Sequence, residues 1–583
     1  MSMSRRYLHK LLRNAGDSLA RPFLLLLLLA IGFLSCTRRP ESPARAGAEP
    51  GCGQVDFRPA VNSLPAPAGE KPSDGDWQIM RLEGEPGTLN PIILNDVPAL
   101  QVNMFMQESL LEMDIGTQEF RPKLAERWEV SEDKLTFTFW LRRDVKWHDG
   151  QPFTAQDVVY SFQRILDPKV DAAVARSYYS QCESVTALDD YTVQFRWKKP
   201  YFKALEFSSG IDIVPKHILD NGADFNSHPY GRHPIFTGPY RFGEWKTGQE
   251  IVLERNPDYW GPRPHLDRIV FKIIIDDTVA LQVFKQGGID FLERLTAVQW
   301  NEQTNSKQFL AKANKLYYDY PYFSYIGWNL RRPPFDDRRV RLAMTLALNR
   351  EAILKTVHSC MGSVISGNSY VKTPYYDQTI KPWPYDPERA KQLLDQAGWG
   401  DHDRDGWRDR DGKPLRFEFL YASGSSSAEK IATIFKEDLK KIGVDMSIRQ
   451  LEWAVFLEQI QNWDFDACTL AWALDADPDF YQLWDSSQAD IKGSSNHVGF
   501  KNVEVDRLIE LNRREFDKPK RIEYARQVHR ILHQEQPYTF LFAPKWLSVM
   551  DKRFHNVLTY PLRPCFKFED WYVPKELQKY PAR

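Results

Sequence analysis

Beyond residue 34 the chain has no long apolar run: no later stretch approaches the roughly 18 residues of a membrane-spanning helix, so the body is expected to be soluble. Net charge is missing too, with 77 Lys and Arg against 78 Asp and Glu, a formal −1, and no basic cluster outside the amino-terminal leader. A nucleic-acid groove needs a basic face, so nucleic acid is excluded as a partner. Cysteine is scarce, six in 583 residues. Cys182, Cys360, Cys468 and Cys565 lie far apart without metal-ligand spacing, and Cys52 falls in a loose tail. A disulfide such as Cys182–Cys360 is permitted outside the cytoplasm; buried free thiols serve equally, and spacing does not choose a pairing. No His-Glu-x-x-His, Gly-x-Ser-x-Gly, P-loop or dinucleotide fingerprint occurs, and the twelve histidines are scattered. A glycosidase carboxylate pair is defined in space and stays open, but no catalytic residue, metal or cofactor is assigned. Asp401-His402-Asp403-Arg404-Asp405-Gly406 resembles the start of a calcium loop, yet its twelfth position is Gly412. A solvated hairpin with Asp-Gly turns at 405–406 and 411–412 accounts for it better.

What is present begins with the leader. Arg5, Arg6, His9, Lys10 and Arg13 precede an apolar run from Phe23 to Leu34, which ends at Ser35-Cys36. The run is short for a span, and small or polar residues follow at once, as at a processing site. It resembles a bacterial lipoprotein signal, with Phe33-Leu34-Ser35-Cys36 at the lipobox and Phe33 where Leu is usual. That resemblance implies cleavage of 1–35, acylation of Cys36 and a practically permanent membrane anchor; a plain cleaved signal or a single-span anchor is the alternative. Residues 36–76, rich in Pro, Ala, Gly and Ser, are expected to form a flexible tether. About 550 residues remain, too many for one core, so two or three domains are expected.

Local patterns set out a mixed α/β body. Residues 77–82 read as a strand, and 135–141 alternate Leu135, Phe137, Phe139, Leu141 against Thr136 and Thr138, a strand with one wet face. Thr154 and Asp157 make a capping-box start for a helix carrying Val158, Val159, Phe162, Ile165 and Leu166. Residues 192–197 repeat the strand pattern, 240–242 and 250–255 suggest a hairpin, and 269–275 a buried strand before a helix at 278–286. Asp336 or Asp337 can cap the next helix, and Asp386-Pro387 places a cap before a first-turn proline. A helix at 428–442 between strands 415–421 and 444–451 suggests a strand-helix-strand unit.

The remaining signal is aromatic, 18 Trp and 25 Tyr, concentrated in two segments. Residues 317–329 hold Tyr322, Tyr325, Trp328 and Asn329; residues 471–481 hold Trp472 with Asp475, Asp477 and Asp479. Rigid rings offer contact area at low entropy cost and nearby acids read a cation, so the second segment suits an amine; core aromatics beside a capped helix are the alternative.

Residues 124–150, Phe236-Thr237-Gly238-Pro239-Tyr240, Asn256-Pro257-Asp258-Tyr259-Trp260, 334–341 and Asp386-Pro387-Glu388-Arg389-Ala390 resemble, in order, the motifs of extracytoplasmic solute-binding proteins of family 5, the peptide and nickel binders of ABC importers. The resemblance covers about 77–575. It implies a periplasmic-binding-protein-like α/β fold of type II, with an inserted domain and two lobes that close on a ligand. The implied division is 77–108, 232–318 and 550–583 as domain I, 109–231 as inserted domain II, and 319–549 as the second lobe. It also implies a monomeric, non-enzymatic, lipid-anchored periplasmic receptor that delivers a peptide, or another small organic solute, to an inner-membrane ABC permease. In peptide-binding relatives a Trp-x-x-Asp segment pairs with the ligand's amino terminus, and Trp472-Ala473-Leu474-Asp475 is similar to it. Asp475 is thus the expected ammonium partner, with Asp477 its rival, and Trp472, Tyr322, Tyr325, Trp328 and Asn329 the expected lining. The loop after 415–421, Ala422-Ser423-Gly424-Ser425-Ser426-Ser427, lacks the arginine that dipeptide binders place there for the ligand carboxylate. This counts against a strict dipeptide reader and leaves longer peptides, an oligosaccharide, a nickel chelate or another amine open, with an enzyme on the same scaffold as the remaining alternative.

Overall fold

The strand Trp77–Leu82 lies inside the largest sheet, which explains why every residue from Gln78 to Leu82 is buried. It pairs in parallel with Arg268–Ile273 on one side and with Phe291–Leu292 on the other. The computed structural model describes Cys52, residues 55–475 and residues 477–580. The leader, Cys36 and residues 37–51 lie outside the described residues. Among those described, no helix is long and apolar enough to cross a membrane.

The eight-stranded sheet runs Ala313–Asp319, Phe542–Asp551, Phe291–Leu292, Trp77–Leu82, Arg268–Ile273, Glu250–Arg255, Tyr240–Lys246, with Gly362–Val364 pairing off the path onto Phe542–Asp551. Arg553, 4% exposed, locks the end of this sheet: its Nε lies 2.9 Å from Asp76 Oδ2 and its Nη1 2.5 Å from Asp290 Oδ1, both carboxylates wholly buried. A guanidinium keeps its charge when buried, and these carboxylates offset the cost of burying it. In the hairpin Tyr240–Lys246/Glu250–Arg255, the preceding Gly238 approaches the Met106 carbonyl so closely that a Cβ would stand 2.3 Å from the oxygen. That contact is why the Thr-Gly-Pro-Tyr motif has glycine.

A separate four-stranded antiparallel sheet, Ala125–Val130, Thr136–Leu141, Thr192–Trp197, Cys182–Asp189, carries its own core. Its buried Phe139 and Phe195 pack edge to face at 5.7 Å, each burial contributing roughly 1.5–3 kcal/mol. Helix Ala155–Leu166 covers this sheet, starting at the expected capping box of Thr154 and Asp157. The third sheet has the order Asp445–Leu451, Arg416–Ala422, Ala467–Ala473, Tyr322–Trp328, Tyr538–Phe540. Its first two strands are parallel, joined through helix Ser426–Lys440. The Asp411-Gly412 turn joins Asp409–Arg410 to Lys413–Pro414 with φ of 54° and 70°, which suits a tight hairpin turn. Asp401, Asp403 and Asp405 are exposed and near one another beside it.

The chain crosses between the largest and third sheets twice, at 319–322 and at 540–542, where paired strands run on from one sheet to the other. Two lobes joined by short crossing strands result, the bilobed, mixed-sheet architecture that the resemblance implies. The expected tether, by contrast, is ordered from residue 55 onward. Val61 pairs with Leu316 and Leu64 with Val557, and Phe57 stacks on Tyr317 at 4.2 Å. The disulfide is Cys52–Cys360, not Cys182–Cys360, while Cys182, Cys468 and Cys565 are buried thiols. Apolar Val55, Phe57 and Ala60 reach a core beside the hinge, which overrides the loop-like composition around them. A strap paired with the large sheet at Val61 and with Val557 at Leu64 is therefore bonded, through Cys52, to the turn that leads into Gly362–Val364.

Candidate site at the lobe junction

Strand Ala467–Ala473 is the middle strand of the third sheet, and the chain leaves it through Leu474, whose N–H donates to the Pro321 carbonyl at 2.8 Å. This fixes where the acidic arm, residues 475–479, begins. Trp472 Nε1 donates to Tyr538 Oη at 3.2 Å, and the Tyr325 ring stacks on Tyr538 at 3.9 Å. Tyr325 is wholly buried, with its hydroxyl 3.2 Å from His497 Nε2.

The arm meets residues 201–203 of the four-stranded domain. Lys203 Nζ donates to Asp475 Oδ2 at 2.9 Å and to Glu206 Oε1 at 3.0 Å. Arg563 Nη2 approaches Asp475 Oδ1 at 3.5 Å from the other side. The Asp475 side chain is 53% exposed and that of Lys203 only 4%. The charge of Lys203, working against burial, holds the Asp475 carboxyl below its ordinary value. Burial opposes the Lys203 ammonium, but Asp475 and Glu206 outweigh it and hold the lysine protonated beyond its usual range. Burial raises Glu206.

Each of the other two acids also has a cation. Asp477 Oδ2 accepts from Arg521 Nη2 at 2.5 Å. Asp479, 3% exposed in its side chain, accepts from Tyr201 Oη at 2.6 Å and pairs with Arg513 Nε at 3.1 Å. Arg513 lies over the rings of Tyr201 and Tyr481 at 4.5 and 4.3 Å, and Arg521 over Phe202 at 4.4 Å. The Phe202 N–H donates to the Arg513 carbonyl at 2.9 Å. The junction is thus closed by the protein's own aromatic, acidic and basic groups.

Of the expected lining, Trp472 and half-buried Tyr322 lie at the arm's end of the sheet, where Tyr322 pairs in register with Ala473. Trp328 and Asn329 do not join them. The strand Tyr322–Trp328 runs antiparallel to Ala467–Ala473 and carries Trp328 six residues away, about 20 Å. Trp328 is wholly buried and donates to Thr539 Oγ1 at 3.2 Å, while Asn329 Nδ2 donates to the carbonyls of Trp463 and Phe465 at 3.0 and 2.8 Å. Both are core residues with their polar groups already satisfied, and Tyr325 is a buried support behind Trp472. Ser425, in the loop without arginine, caps helix Ser426–Lys440. The cations that matter, Lys203, Arg513, Arg521 and Arg563, were missed because they come from three distant segments. The one available signal was Tyr201-Phe202-Lys203, two rings and a cation directly after a lysine pair and a proline.

A family model described as "Bacterial extracellular solute-binding proteins, family 5 Middle" matches residues 119–493. The oligopeptide-binding protein AppA of Bacillus subtilis is 32% identical over 530 residues, covering 88% of this chain and 94% of that protein. The dipeptide-binding protein of Escherichia coli is 29% identical over 482 residues, 78% and 87% of the respective chains. The solved structure of the Bacillus subtilis AppA protein with a nonapeptide superposes with a TM-score of 0.81 at 31% identity, covering 87% of this chain and all of that one.

Proposed function

Because this chain belongs to family 5 of the bacterial extracellular solute-binding proteins, a family of binders and not of enzymes, we propose that it captures peptides between its lobes and delivers them to an ABC permease. The observation that carries this reading is the likeness, over 87% of the chain, to a protein solved around a nonapeptide. The lobe junction supports it. An acid-rich arm on a central strand, backed by stacked rings, meets a second domain at a closed interface, and closure that buries a ligand between both walls links binding to a shape a permease can read. In this reading Trp472 and Tyr322 flank the ligand, the arm that carries Asp475 and Asp477 lies at one end of it, and Tyr325 holds Trp472 in place. One chain supplies both walls, so a monomer suffices.

The three sheets with their separate cores support the division into domain I (77–108, 232–318, 550–583), inserted domain II (109–231) and a second lobe (319–549). The leader's basic head and apolar run support export to the periplasm and acylation at Cys36. The test is thermal unfolding of the purified chain with a peptide pool, a nickel–histidine chelate and an oligosaccharide mixture. Stabilisation by the peptide pool alone supports the reading through linkage; a shift with another solute and none with peptides overturns it.

A further inference from the structure

The ammonium at Asp475 belongs to the protein itself. Lys203 comes from the domain built on the four-stranded sheet and Asp475 from the arm of the third sheet, so the 2.9 Å contact ties the two walls directly. Lys203 is enclosed, 4% exposed, between Asp475 and Glu206 at 2.9 and 3.0 Å, and its neighbours Tyr201 and Phe202 are docked on Asp479 and Arg513. The second oxygen of Asp475 faces Arg563 at 3.5 Å. Two cations therefore already share one carboxylate. A ligand ammonium brought to the same acid would stand beside both of them, and like charges at such range oppose one another. Displacing Lys203 instead would leave an enclosed ammonium with Glu206 alone.

We propose that Lys203 is a built-in counter-ion for Asp475, which latches the two walls and frees this receptor from reading a ligand's amino-terminal charge. Its ligands are then peptides whose amino terminus is blocked as readily as peptides whose terminus is free. The inference rests on the peptide reading. It assigns Asp475 a different task from that of the Trp-x-x-Asp acid in peptide-binding relatives: the carboxylate is spent within the protein, and contacts to the ligand's backbone and side chains supply affinity.

The experiment uses one nonapeptide library synthesised twice, with free and with acetylated amino termini, titrated against the full mature chain and followed by thermal unfolding. For the wild type the half-saturating concentrations of the two libraries should agree within about threefold. In Lys203→Met the carboxylate loses its closest partner, and the free-amine library should then bind at least tenfold more tightly than the acetylated one. Asp475→Asn, which retains Glu206 beside Lys203, should keep the wild-type ratio. A wild type that loses tenfold or more on acetylation overturns the inference while leaving the peptide reading intact, and that comparison needs no variant to fold. Binding of neither library overturns the peptide reading itself, and the inference with it.

Discussion

Tyr201→Phe is the sharpest perturbation of closure, because it deletes one oxygen and keeps the ring. The Tyr201 hydroxyl donates to Asp479 Oδ2 at 2.6 Å across the lobe junction, and both groups are buried. A hydrogen bond to a charged group contributes about 1.5–3 kcal/mol. Asp479 keeps Arg513, which lies in the same lobe, so the variant strands no buried charge. The bond joins two walls and exists only when they meet, so its loss falls on the closed state and reappears as weaker binding. At 1.4 kcal/mol per tenfold, ligand affinity should drop roughly 10- to 150-fold. Isothermal titration with the ligand carried through purification reads the change directly. Tyr179→Phe is the control: its hydroxyl donates to the Phe207 carbonyl at 2.7 Å within one domain, so it should lower stability and leave affinity alone. Unchanged affinity in Tyr201→Phe, or equal losses in both variants, would refute the assignment of this contact to closure.

Other expectations follow from buried groups and from the strap. Cys360→Ser removes a cross-link between residues 308 apart in sequence and should cost about 2–5 kcal/mol in urea unfolding; a loss below about 0.5 kcal/mol would mean that the strap is not bonded. Arg553→Met leaves Asp76 buried without its cation and Asp290 with only the more distant Lys579 at 3.8 Å, and unfolding free energy should fall by about 3–5 kcal/mol. Burial depresses His497 to about 3 and His529 to about 4, below the ordinary histidine value of about 6.5. Their neutral forms therefore stabilise the fold fully above pH ~6.5, and this contribution drains away as pH falls toward ~4, by roughly 1.4 kcal/mol per pH unit for each. His529→Gln should make the stability profile shallower across that window, and an unchanged slope would show that His529 does not titrate there.

Much of the frame was legible because its signals are local. Thr154 with Asp157, Asp386 before Pro387, and the alternation through Phe137 and Phe139 each settle an element within a few residues of themselves, and each stands where the pattern put it. What escaped is non-local. Nothing in the spacing of six cysteines distinguishes Cys52 from Cys182 as the partner of Cys360, and Phe57 joins the body only because Tyr317 is there to stack on. The aromatic segment 317–329 looked like one lining surface. Strand direction carries Trp328 and Asn329 away from the arm, into a core that satisfies their polar groups. Asp475 was visible as an acid beside Trp472, but not that a lysine more than two hundred residues earlier already answers its charge.

The central claim, peptide capture between closing lobes, is tested most directly by native mass spectrometry of the full mature chain purified from its own cell envelope without added solute. The account predicts adducts that release peptides on denaturation, with free and blocked amino termini both present. Release of a metal chelate, a haem or a saccharide in place of peptides would contradict it.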